Sequence, residues 1–121
     1  MTYPDYKYKN QEAIDEIESQ YPEMTKEFWN IVHEQYDTFC AKQLNYGPSN
    51  ISVGTTLQTP DDIKLSLVGL WFRMQDKIQR LKQLVVLGKQ DAVGESIADT
   101  YQNLSVYGII AQMVQRGKWA K

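Results

Sequence analysis

The chain has 121 residues, 42% of them apolar and 23% charged, the size and composition of one globular domain rather than a disordered chain. Thirteen basic residues against fifteen acidic ones leave a net charge of −2, which argues against a duplex-DNA binder, since such a protein needs a basic surface to displace counterions. No apolar run approaches the ~20 residues of a membrane span, and the opening MTYPDYKYKN has no apolar signal core, so neither a membrane nor export is expected.

In chain order, residues 1–9 carry Tyr3, Tyr6 and Tyr8 among polar residues and read as a loose arm. Asn10 is placed to cap a short helix over 11–20, ended by Pro22. Thr25 is then placed to cap a longer helix over 26–44, with Phe28, Val32, Tyr36 and Phe39 as its apolar stripe and Gly47-Pro48 as its stop. Cys40 on this helix reads as a core filler. Phe28 and Phe39, with Trp71 and Phe72 further on, read as core aromatics. A single cysteine suits a reducing cytosol, and one Cys with one His, His33, leaves no Cys/His zinc site within a chain. Residues 45–59 are rich in Gly, Ser, Thr and Asn and form a loop long enough to be a candidate functional loop.

Thr59-Pro60-Asp61-Asp62 starts the next helix: a capping hydroxyl, a proline at the first helical position, and acids at the positive end. Ile63, Leu67, Leu70, Met74, Ile78, Leu81 and Val85 follow at spacings of 4, 3, 4, 4, 3 and 4, a helical stripe that ends at Gly88. Asp91 is placed to cap the last helix, which runs to about Gly117 with Ile97, Tyr101, Leu104, Gly108, Ala111 and Val114 as its core row. Nothing alternates at period two. The expectation is an all-α bundle of three long helices plus a short N-terminal one, in a single domain over 1–121 with residues 118–121 as a second loose arm. The last helix is apolar on nearly all sides toward its C-terminus, through Val106, Ile110 and Met113, so a homo-oligomer is expected to complete the core. Trp119 in the basic tail is a possible anchor on a neighbouring copy.

Each long helix also offers a polar row. On the second, Gly69, Arg73, Asp76 and Arg80 lie within about 60° of one another at ~100° per residue, with Lys77 beside them. On the last, Glu95, Asp99 and Asn103 align; on the first, Asn30, Glu34 and Asp37, next to His33. Converging carboxylates need a cation. Mg²⁺ on Asp76, Glu95 and Asp99 would supply one and would also take substrate phosphates. Arg73, Lys77 and Arg80 would serve equally as salt-bridge partners, or as a phosphate grip. Surface ion pairing alone is the plainer account of these rows. Tyr46, beside Gly47, is placed to stack on a base, and Asp99 or Asn103 to hydrogen-bond base or ribose.

The string GLWFRMQDKIQRLKQL (69–84) followed by ESIADTYQNLSVYGIIA (95–111) resembles the nucleotide modification associated domain 1 family, found in phages. The shared pattern is R-x-x-D-K-x-x-R-L and E-S-I-x-D-T, joined by the YGPSN loop (46–50) preceded by Lys42. The likeness spans roughly residues 30–112 and implies a nucleotide more firmly than it implies a reaction. A more distant likeness is to the all-α nucleotide pyrophosphohydrolases of the MazG type, which hold Mg²⁺ on E-E-x-x-E and E-x-x-D. This chain departs from both motifs, with Ser96 after Glu95 and arginines at 73 and 80 where acids belong.

Three functions follow as alternatives. The first is a phage-type protein that holds a nucleotide through Lys42, Tyr46, Arg73, Lys77, Arg80, Asp99 and Asn103 without turnover. In a phage its use would be a sponge for a nucleotide-derived immune signal, such as a cyclic dinucleotide or a cyclic ADP-ribose derivative, in the host cytosol. The second is a Mg²⁺-dependent pyrophosphohydrolase using Asp76, Glu95 and Asp99, completed by Glu34 or Asp37. The third is an adaptor bundle in a nucleotide-modifying complex.

Overall fold

The computed structural model describes residues 6–121, so Tyr3 of the expected arm lies outside the described residues. Five helices are formed and no strand occurs among these residues: α1 (Gln11–Gln20), α2 (Pro22–Tyr46), α3 (Ser49–Ser52), α4 (Pro60–Leu81) and α5 (Ile97–Gln115). The all-α expectation holds. No helix is long and apolar enough to cross a membrane among the described residues.

The helix ends show what local chemistry decides. Thr59 Oγ1 accepts from the Asp62 amide at 3.1 Å, as the Thr-Pro-Asp-Asp string predicts. Pro22, expected as a stop, instead begins α2: the first turn needs no amide from it. Thr25 therefore sits inside the helix and its hydroxyl donates back to the Tyr21 and Pro22 carbonyls. Ser96, not Asp91, caps α5, its Oγ accepting from the Asp99 amide at 3.0 Å. Asp91 instead accepts from the Val93 amide in a turn. Beyond Leu81 the α4 spiral widens into a π-helical turn over Lys82–Val86, closed by the Leu87 amide on the Lys82 carbonyl. Gly88 then reverses the chain at φ 66°.

The chain divides into two compact units, Met1–Asp37 and Thr38–Lys121, the boundary falling within α2. In the first unit no described residue is buried. Its feature is a groove of 530 Å³ lined by Ile14, Ile17, Met24, Phe28 and Trp29 among others. Phe28, expected in the core, is 67% exposed.

The second unit holds the core: Ile51, Leu70, Ile110, Val114 and Trp119, with Phe39, Leu67, Tyr107 and Met113 packed against them. Trp119 corrects the reading of 118–121 as a loose arm. It is 6% exposed, donates Nε1 to the Pro48 carbonyl at 3.2 Å, and meets Phe39 edge-on at 6.1 Å between centroids. A large ring near the chain end gains more from burial than it loses in ordering one short turn. Cys40 is exposed, not a core filler.

The buried sector of α4 is rotated from the apolar stripe. Ser66 and Leu70 are buried, while Ile78 and Val85 from the stripe are about half exposed, as are Trp71 and Phe72. In α5 the buried positions are Thr100, Ile110 and Val114, and Ile97 and Tyr101 of the expected core row face out. Small side chains explain the choice. Ser66 donates Oγ to the Ile51 carbonyl at 2.6 Å, so α3 seats closely on α4. Thr100, fully buried, lets α5 approach α4 where Arg80 crosses.

Candidate functional site

The rotation of α4 turns its polar row inward. Arg73, Lys77 and Arg80 fall on the same side of the helix as Ser66 at ~100° per residue, and all three are partly buried. They meet two different segments. Arg73 Nη2 donates to the Asn50 carbonyl at 2.9 Å, which ties the YGPSN segment to α4. Lys77 Nζ pairs with Glu95 Oε1 at 3.0 Å. Arg80 donates Nε to Thr100 Oγ1 at 3.1 Å and Nη2 to the Glu95 carbonyl, lies 3.1 Å from Asp91 Oδ1, and reaches Glu95 Oε2 at 3.4 Å. Asn103 Nδ2 completes the network on Glu95 Oε1 at 3.4 Å.

Glu95 is therefore the hub of this network. Asp76 and Asp99 are exposed, and no three His, Cys, Asp or Glu side chains among the described residues converge as a metal site. The expected Mg²⁺ set of Asp76, Glu95 and Asp99 is not brought together. Lys77 and Arg80 project from the same helix as Asp76 and saturate Glu95 with opposite charge, which leaves its carboxylate little reason to recruit a cation. Glu34 and Asp37 belong to the first unit, where the His33 and Trp29 rings lie tilted with centroids 6.1 Å apart.

Of the remaining expected ligand residues, Asn103 joins the network and Asp99 does not; the Asp99 amide is used in the Ser96 cap. Lys42 and Tyr46 are exposed near the end of α2. The structure adds Asp91 and Thr100, which sequence reasoning assigned elsewhere or passed over. Thr100 was visible as the last residue of the E-S-I-A-D-T string. Asp91 was not, because its cap-like position has a second explanation. The Val93 amide above all, and Arg80 beside it, hold the Asp91 carboxyl below its ordinary value against the opposing effect of burial.

Beside Arg80 lies a shallow pocket of 410 Å³ lined by Gln79, Gln83, Leu84, Gln90 and Asp91. Its amide side chains offer both donors and acceptors around a guanidinium, an arrangement that suits a polar, anionic small molecule. No protein-family model matches the chain, and neither the curated proteins nor the solved structures contain a significant match.

Proposed function

We propose that this chain binds a phosphorylated nucleotide-type molecule and releases it unchanged, the behaviour of a sponge rather than of an enzyme. The observation that carries the reading is the shared inward side of α4, where Arg73, Lys77 and Arg80 contact the 46–50 segment and the 91–103 segment. Three cations face two carboxylates, Glu95 and Asp91, so the cluster keeps a surplus of positive charge for a guest. Arginine binds phosphate bidentately, and a partly buried guanidinium does so in a lower dielectric than bulk water. The glutamines beside Arg80 are suited to a base edge or a ribose. Binding is favoured over hydrolysis because splitting a phosphoanhydride requires acids free to hold a metal and orient water, and here the central acid is bonded to Lys77, Arg80 and Asn103.

Calorimetry with a panel of nucleoside mono-, di- and triphosphates and cyclic dinucleotides tests the reading, with chromatography of the ligand afterwards. Micromolar binding, intact ligand, and at least ~10-fold weaker affinity in Arg73→Ala are expected. No binding across the panel, or Mg²⁺-dependent product formation, overturns it.

A further inference from the structure

The side of α4 opposite the arginines carries a different message. Leu65, Val68, Trp71, Phe72, Ile78 and Val85 are each between 41% and 59% exposed. At ~100° per residue the five on α4, from Leu65 to Ile78, fall in one continuous sector interleaved with Gln75 and Gln79, and Val85 follows in the π-helical turn. An apolar sector this long on a water-facing helix marks an interaction surface.

We propose that a second copy of this chain covers it, with the two α4 helices antiparallel about a twofold axis between Trp71 and Phe72. The register identifies the occupant. With Trp71 of one copy facing Phe72 of the other, Leu65 faces Ile78 and Val68 faces Gln75. Lys64 then faces Gln79, and Asp61, in the first turn of one α4, faces Lys82 at the end of the other. The register is thus self-complementary: Trp71 meets Phe72 and Leu65 meets Ile78, the stem of Gln75 lies over Val68 between them, and opposite charges meet at both ends. Asp61 at the helix N-terminus and Lys82 at the C-terminus also complement the dipoles, which oppose each other in this arrangement. A parallel pairing would put Asp61 against Asp61 and Lys82 against Lys82.

The area suffices. Trp71 and Phe72, at 58% and 59% exposure, leave on the order of 250 Å² per copy available for burial. The four aliphatic residues and the stems of the interleaved polar ones supply most of the rest of the ~800 Å² per partner in a standard interface. Arg73, Lys77 and Arg80 lie across the helix from this sector, and Gln79 alone borders both it and the pocket beside Arg80.

Sedimentation of the full chain at tens of micromolar, compared with Trp71→Asp, is the primary test. A wild-type dimer whose dissociation constant rises roughly hundredfold in the variant supports the interface. A wild-type monomer, or a dimer indifferent to Trp71→Asp, overturns it. Should Trp71→Asp lose its helical circular dichroism, crosslinking decides. In a Cys40→Ser background, mixing Val68→Cys with Gln75→Cys gives a disulfide-linked heterodimer if the helices are antiparallel. A disulfide between two copies of the same variant in preference to the mixed pair, or no disulfide at all, refutes the arrangement. Asp61→Lys is expected to weaken the dimer and Asp61→Lys with Lys82→Asp to restore it.

Discussion

Trp119 offers the sharpest test of how the second unit is held together. Its ring is 6% exposed, and its indole N–H ends on the Pro48 carbonyl. Replacing a buried Trp by Ala costs about 3–5 kcal/mol, combining lost transfer energy with the cavity left behind. The core it leaves is small: the other buried apolar residues described are Ile51, Leu70, Ile110 and Val114. Relief by collapse is limited there, so the upper half of the range is expected. With a total stability of about 5–15 kcal/mol for a domain, Trp119→Ala removes a large part of it. In urea, at an m-value of about 2 kcal/mol/M, the midpoint should fall by roughly 2 M. Far-UV circular dichroism at one fixed protein concentration is the assay, since association would shift the midpoint by mass action. Trp119→Phe separates the contributions. It keeps most of the packing against Phe39 and loses the hydrogen bond. The Pro48 carbonyl still accepts from the Ile51 and Ser52 amides, so no buried acceptor is stranded and a cost of about 1 kcal/mol is expected. A change below ~0.5 kcal/mol in Trp119→Ala, the size typical of a solvated surface position, would refute the packing argument.

Other expectations follow from the same contacts. Glu95→Ala strips Lys77 and Arg80 of their shared partner, and with these side chains only 18–31% exposed the loss should be about 1–2 kcal/mol by thermal or urea unfolding. Ser96→Ala should cost about 1 kcal/mol through the lost α5 cap, whereas Asp91→Asn should leave the helicity of α5 unchanged by circular dichroism. The folded-state pKa of Asp91 lies below its ordinary value of 3.8. Its ionised form therefore contributes stability above that pH, and the contribution disappears as the pH falls through the depressed folded-state value. An acid titration of wild type against Asp91→Asn should show the two curves converging below pH 3.8; parallel curves down to the acid limit would contradict the Arg80 and Val93 contacts.

By itself the sequence determined the four longer helices and several of their ends, but read the short α3 as loop. The Thr59 cap, the proline after it, and the reversal at Gly88 depend on a few neighbouring residues, and local chemistry suffices to read them. The same holds for the charged string on α4, whose spacing alone puts Arg73, Lys77 and Arg80 on one side. What the sequence could not decide was which side of α4 turns inward, because apolar residues occupy two sectors of that helix and periodicity weighs Ile78 and Trp71 as heavily as Leu70. Tertiary contact made the choice through small polar residues, Ser66 beneath the Ile51 carbonyl and Thr100 beneath Arg80, which hydropathy ranks low. It also moved Glu95 from prospective metal ligand to ion-pair hub and drew Trp119 into the core. Each outcome depends on residues 15 to 71 positions apart in the chain, a separation across which periodicity and capping rules carry no information.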